Sequence, residues 1–321
     1  MMMKGILDLA SSLTSRIGGV ASGIGGVASG IGEVASGIGE VASDVTGFAS
    51  DLVAEVDAKV DRIPADLNEY QYDPWGYSPK AMKRFILPAA FLYRYYFRCR
   101  TTGLENLPEG RVLLIGNHAG QMAFDGLMVT AACILEAEPP RLARGMGEYW
   151  LGTLPYLSVL LDRTGSAVGT RQTCIDMLNH GECVMAFPEG VRGMNKVYAD
   201  AYKLMEFGLG FMRLALETDT PIVPVSIVGS EEQNPGLADL QGVAKLLGMP
   251  SFPVTLTFPW LGPLGMLPLP VRYHIEFGKP MRFEGHAEDE DDVIEAKVEE
   301  VKAAIRDQLE RGRAQRTSIF F

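Results

Sequence analysis

Short apolar runs with strand character alternate with longer helix-like segments along most of this chain. The strand-like runs are Val112–Ile115, Ala167–Val168, Cys183–Phe187, Ile222–Val228, Val254–Thr257 and Val271–Phe277. Helix-like segments fall between them, near Gly126–Leu135, Glu148–Leu161, Gln172–Asn179, Ala201–Glu217 and Leu237–Leu247. Such βα alternation predicts an α/β fold: an open, mostly parallel sheet flanked by helices. Chemistry in such sheets gathers at the carboxyl ends of the strands.

A different pattern occupies the amino-terminal part. Ile17, Ile24, Ile31, Ile38 and Val45 recur every seven residues, with Val20, Val27, Val34, Val41 and Phe48 three residues later. That is the a/d seam of an amphipathic helix or coiled coil. Ten glycines between Gly18 and Gly47 oppose it. At about 1 kcal/mol each against Ala, a lone helix would be about 10 kcal/mol worse than its alanine version. The arm therefore needs a surface to cover its seam: a second copy through residues 17–56, the catalytic body, or a bilayer. A frayed arm without function stays open beside these. The predicted division is a heptad-repeat helical arm over 1–60, a linker and amphipathic helix over 61–100, and a catalytic domain over 101–321.

Lys80–Arg100 mixes Lys80, Lys83, Arg84, Arg94, Arg98 and Arg100 with six aromatic residues. This pattern suits a helix at a membrane interface or one packed on the body. Leu246–Val271 is uncharged, but six prolines from Pro250 to Pro270 exclude a spanning helix. It reads as an apolar loop that lines an apolar channel, dips into an interface, or crosses the core. Glu288–Asp292 opens a final charged helix to about Arg313.

Charge and cysteines narrow the function. A net charge of −11 disfavours a nucleic-acid partner. Cys99, Cys133, Cys174 and Cys183 show no paired or metal-ligand spacing, so no metal and a reducing compartment are expected. Lys4 is not followed by the apolar core of a signal peptide. There is no Gly-x-Ser-x-Gly elbow.

Two strand ends carry candidate chemistry. Val112–Gly116 delivers Asn117-His118, followed by Asp125 at the start of a helix-like run. A histidine there is placed to act as a general base with a carboxylate orienting it; a satisfied core histidine and a helix-capping Asp are the other reading. Cys183–Phe187 runs into Pro188-Glu189-Gly190-Val191-Arg192. Arg171 and Arg192 are candidates to hold anionic oxygens, because guanidinium matches phosphate geometry. Lys196 and Lys203 read as solvated charge or as further phosphate contacts.

In content and order these blocks resemble the glycerol-3-phosphate and lysophospholipid acyltransferase family, over roughly Tyr77 to Arg282. Asn117-His118 with Asp125 resembles its catalytic first block. Gly165–Arg171 is similar to a degenerate second block, Phe187-Pro188-Glu189-Gly190 with Arg192 to the third, and Ile222-Val223-Pro224-Val225 to the fourth. The usual first block is shorter; here six residues, Ala119 to Phe124, separate His and Asp. The resemblance implies acyl transfer from acyl-CoA or acyl carrier protein to a lysophospholipid such as lysophosphatidate, with no further cofactor. It implies His118 and Asp125 as the catalytic pair, and Asn117, Arg171, Glu189, Gly190 and Arg192 as substrate-binding residues. A neutral acceptor, or a non-catalytic lipid-binding scaffold, are the alternatives. A cytoplasmic protein held peripherally on a membrane is the expected setting.

Overall fold

The computed structural model describes residues 47–147, 156–247 and 252–320. The heptad seam over 17–45 and the first part of the helix expected at Glu148–Leu161 lie outside the described residues. The chain divides into two units, Met1–Ala58 and Lys59–Phe321. In the first, residues 47–58 are helical.

The second unit opens with α1 (Pro79–Phe91), which carries Pro88 inside it and runs on as a π-helical turn, Leu92–Tyr96. There follow β1 (Arg100–Thr102), β2 (Val112–Gly116), α2 (Phe124–Leu135), β3 (Ala143–Gly147), α3 (Leu157–Arg163), β4 (Ala167–Val168), α4 (Arg171–Asn179) and β5 (Cys183–Ala186). Next come α5 (Gly190–Met194), α6 (Gly210–Thr218), β6 (Ile222–Val228), α7 (Ser230–Gln233), β7 (Gly236–Asp239), α8 (Gln241–Leu247), β8 (Pro253–Thr255), β9 (His274–Phe277) and α9 (Asp291–Gln315).

Seven strands form one sheet in the order β1-β9-β6-β2-β5-β3-β4. The five from β6 to β4 are mutually parallel. β9 joins β6 antiparallel and β1 follows β9, so the sheet is mostly parallel with a reversed edge. β2 and β6 are buried along their whole length, which is why both read as continuous apolar runs. Pro224 sits inside β6, where a missing N–H would cost a ladder bond. The β9 ladder ends beside it at Val225–Phe277, and its carbonyl accepts from Gly278 N.

Leu113 and Ile115 of β2 pack with Met177 and Leu178 of α4, Met212 of α6, and Val298, Val301 and Ile305 of α9. α1 and α2 bury their own apolar faces through Met82, Ile86, Met128 and Val129. Each such aliphatic side chain contributes about 1.5–3 kcal/mol relative to exposure.

Several expectations need correction. Val254–Thr257 does not enter the main sheet: β8 pairs antiparallel with β7 in a separate two-stranded sheet. Ala201–Glu217 is helical only from Gly210; the stretch before it is irregular and held by side chains from the strand ends. Leu237–Leu247 begins as β7 and turns helical at Gln241.

The connector before α1 is tied down by Arg144, the largest fully buried side chain. Its guanidinium donates to Asp73 Oδ2 at 2.5 Å and to Glu182 Oε2 at 2.8 Å, and it lies 4.7 Å from the Trp75 ring centre. Asp73 Oδ1 also accepts from Trp75 N and Tyr77 N. Breaking a buried pair by removing one partner costs about 3–5 kcal/mol. Asp73→Ala should destabilise the protein by that amount in denaturant unfolding; a loss below about 1 kcal/mol would contradict this account of the connector.

Candidate active site

Two residues past the end of β2, His118 is held through its backbone N–H, its ring Nδ1 and one ring face. Asn117, one residue earlier, spends its amide on β6: Nδ2 donates to Ile227 O at 3.0 Å, and Ile227 N donates to Asn117 Oδ1 at 2.8 Å. It extends the β2–β6 pairing past the ladder, so it acts by positioning His118. His118 N donates to Glu189 Oε1 at 2.9 Å. The His118 ring stacks on Phe187, centroids 4.5 Å apart and planes 16° from parallel. Phe187 fits because Gly116 and Gly126 leave room; a Cβ at either would stand 3.1 or 3.3 Å from its ring.

Asp125 reaches the imidazole despite the long spacing. His118 Nδ1 and Asp125 Oδ2 are 2.6 Å apart, and the same oxygen accepts from Ala119 N at 3.0 Å. Asp125 Oδ1 accepts from Gly126 N at 2.7 Å, and the carboxylate is fully buried in the first turn of α2. The extra residues are taken up by two left-handed positions, Gly120 (φ +92°) and Gln121 (φ 61°). A Cβ on Gly120 would lie 2.2 Å from Gln233 Nε2, so glycine is required there. Gln121 is held in its strained conformation by its N–H on Met194 O and its Nε2 on Lys196 O. Gln233 Nε2 donates to Gly120 O and Met122 O, and Tyr273 Oη donates to Gln233 Oε1 at 2.5 Å.

Burial pushes the His118 imidazole down, but the charge and hydrogen bond of Asp125, aided by Glu189, outweigh it, so its pKa is raised above the ordinary 6.5. Lys196 opposes that rise. With Nδ1–H donated to an ionised Asp125, Nε2 is the basic nitrogen. The side chain is 11 % exposed. This pair can take a proton from a bound hydroxyl.

The turn after β5 supplies the second half of the site, and here Glu189 points inward. Its Oε2 accepts from Met205 N at 2.7 Å and lies 3.6 Å from Lys196 Nζ. Lys196 is not solvated: its ammonium is buried, 2.9 Å from Glu231 Oε1, and donates to Lys203 O. Burial holds the Glu231 carboxyl above its ordinary range even beside Lys196. Lys203 is exposed and pairs with Asp200. Gly190 begins α5 at φ +57°, and Gly193 lets α5 touch the His118 turn; a Cβ there would stand 2.6 Å from Glu189 Cβ and 2.9 Å from His118 O.

The structure thus joins His118, Asp125, Asn117 and Glu189 in one knot. It places the two arginines outside that knot. Arg192 is 58 % exposed on α5, with Nη1 on Glu206 Oε2 at 3.1 Å and Nη2 on Glu206 O. Arg171 opens α4 and pairs with Glu217 of α6 at 2.6 Å. Sequence reasoning passed over Phe187 as a ring platform, Gly193, and the clamp of Gln233 and Tyr273. Gly193 carried a signal, since glycine inside a helix is costly without a packing reason. Gln233 and Tyr273 carried none; only the tertiary fold brings them to the turn.

Residues 98–228 match the family model described as Acyltransferase. An uncharacterized protein of Mycobacterium tuberculosis is 37% identical over 259 residues, 79% of this chain and 72% of that protein. A Mycoplasma pneumoniae protein named probable 1-acyl-sn-glycerol-3-phosphate acyltransferase is 28% identical over 171 residues, 50% of this chain and 61% of its own. A Gallus gallus protein named DGAT1/2-independent enzyme synthesizing storage lipids is 23% identical over 184 residues, 57% and 52% of the two chains.

A raised folded pKa means that protonated His118 stabilises the fold. That contribution is full below the unfolded imidazole's pKa and disappears as pH rises through the folded value. NMR titration of the imidazole should therefore place its midpoint above 6.5. Asp125→Asn should bring it down; an unchanged midpoint would show that Asp125 does not set it. Gly193→Ala should cost about 1–3 kcal/mol by overpacking, read as a lower unfolding midpoint.

Proposed function

This chain belongs to the acyltransferase family, and from that premise we propose that it transfers a fatty acyl group from coenzyme A to the hydroxyl of a lysophospholipid such as lysophosphatidate. The observation that carries the reading is the 2.6 Å contact of His118 Nδ1 with buried Asp125, on a side chain that is not fully buried. His118 Nε2 takes the acceptor hydroxyl's proton as that oxygen attacks the thioester carbonyl carbon. As the tetrahedral intermediate collapses, the C–S bond breaks and the imidazolium returns the proton to the departing thiolate. The products are an ester and free coenzyme A thiol. Asp125 fixes the tautomer and steadies the imidazolium, while Asn117 and Glu189 hold the turn.

Arg192 binds the acceptor phosphate in this reading, with Gly190 allowing backbone to approach it. Its partner Glu206 is 81 % exposed, and such surface pairs are worth about 0–1 kcal/mol. A phosphate can therefore replace Glu206 at little cost. Arg171, in a similarly open pair, is the second anion-binding candidate. The phosphorylated acceptor is supported by the name of the Mycoplasma pneumoniae relative.

A neutral acceptor, such as a mono- or diacylglycerol or a long-chain alcohol, is the second reading. The Arg192–Glu206 pair allows it, because a guanidinium already compensated makes no demand for an anionic substrate. The name of the Gallus gallus relative points the same way.

The test is a purified-protein assay with labelled acyl-CoA, and acyl carrier protein in parallel, against a panel of lysolipids and neutral alcohols. His118→Ala should lose about 10²–10⁴-fold in kcat, the usual worth of a positioned general base; near-wild-type turnover would end the reading. Arg192→Glu should abolish use of phosphorylated acceptors and spare neutral ones. Equal loss on both classes would remove Arg192 from acceptor recognition.

A further inference from the structure

We propose that the loop carrying Trp260, with the arginine cleft beside it, docks this protein on an anionic phospholipid bilayer. The loop joins β8 to β9 and exposes Leu256, Trp260, Leu261, Leu264 and Leu267, with Trp260 73 % and Leu264 70 % accessible. So much apolar surface on one loop marks an interaction site. The loop is bonded within itself. Thr257 Oγ1 donates to Gly265 O at 2.7 Å, Leu261 N donates to Thr257 O, and a Cβ on Gly265 would strike Thr257 O at 2.4 Å. These contacts fix the loop's own fold, in which its leucines stand exposed.

Its stem is bonded to the π-helical turn after α1. Tyr96 Oη donates to Pro268 O and Arg98 Nη2 to Pro270 O, each at 2.7 Å. Phe91 and Tyr95, at the end of α1 and in this turn, are also exposed. Beside the stem, Arg98, Arg100, Arg272, His274, Gln315 and Thr317 line an open cleft of about 210 Å³. Among the described residues, Arg98 bonds only to carbonyl oxygens, of Pro270 and Phe320, and its buried Nε has no partner. Among the described residues, no carboxylate pairs with Arg98, Arg100 or Arg272. Nearby acids are already engaged, Glu276 by Arg311 and Glu232 by Arg316. His274 is held below its ordinary pKa by burial and by Arg100, Arg316 and Arg272, as expected of a positive cleft.

A chain of net charge −11 that leaves these cations without a carboxylate partner among the described residues, beside exposed Trp and Leu, is complementary to one surface in particular. A bilayer offers headgroup phosphates to the arginines and acyl chains to the loop, with aromatic rings at the boundary. No helix among the described residues is long and apolar enough to cross the membrane, so this contact is with its surface. The stem also reaches the candidate active site: Leu269 N donates to Gln233 O at 2.7 Å, and Asn234 Nδ2 donates to Met266 O. Gln233 clamps the His118–Asp125 turn, so docking sets that turn beside the lipid phase. The docking itself does not depend on the acyl-transfer reading.

The experiment is co-sedimentation of the full chain with vesicles of phosphatidylcholine alone, or mixed with phosphatidylglycerol. Wild type should bind the mixed vesicles more tightly, and added salt should weaken the binding. Arg100→Glu with Arg272→Glu should weaken it about tenfold or more, as should Trp260→Ala with Leu264→Ser. Circular dichroism checks that both doubly substituted proteins fold, and each tests the surface if the other does not. His118→Ala should bind vesicles as wild type does, which separates failure of docking from failure of the catalytic reading. Wild-type affinity in both doubly substituted proteins would overturn the proposal. Binding of inorganic phosphate without vesicle binding would overturn it too, since the cleft would then hold a small anion only.

Discussion

One buried carboxylate holds the ends of β2 and β5 together, and the site depends on it. Glu189 gives one oxygen to His118 N and the other to Met205 N, with the Lys196 ammonium close by. Desolvating an ion costs several kcal/mol unless partners replace the lost water, and here two N–H groups and a cation do so. Lys196 is in turn compensated by Glu231, which accepts from Tyr202 N. The charges thus form a closed chain linking β2, β5 and the segment after β6. A hydrophobic cluster could hold these elements as firmly, but it would not fix the direction in which His118 N–H points. Glu189 also favours the protonated imidazole while Lys196 disfavours it, so the clamp tunes the imidazole as it positions it.

The parallel centre of the sheet was legible because β2, β5 and β6 are buried strands and read as unbroken apolar runs. β3 escaped because Ala-Arg-Gly-Met-Gly carries a buried arginine and two glycines, which no alternation rule selects. β9 was visible as a strand, but nothing in its residues announces antiparallel pairing; that follows from the long return through the apolar loop. The helix expected from Ala201 begins at Gly210, since Glu189 and Glu231 take the N–H groups of Met205 and Tyr202. Asn117, His118 and Glu189 were found as residues, but two of their tasks are structural. The Asp125 contact could not be inferred from spacing, because it needs two left-handed backbone positions and a clamp from Gln233.

The arginines illustrate how burial and pairing sort one residue type into distinct tasks. Arg144 is buried between two carboxylates, and a ligand could displace neither without leaving charge stranded in the core. Among the described residues, Arg100 and Arg272 have no carboxylate partner, so an anion reaching them displaces none of these. Arg192 lies between these cases. Glu206 satisfies it in the free protein, yet that pair stands in water, where forming it gains little and releasing it loses little. An incoming phosphate brings more charge than the carboxylate and matches the guanidinium fork equally well. Exchange therefore favours the phosphate, whereas a neutral acceptor leaves Glu206 in place. Under the proposed acceptor reading, discrimination between the two acceptor classes rests on a difference of affinities at this exposed pair, so Glu206 would bear on acceptor choice together with Arg192.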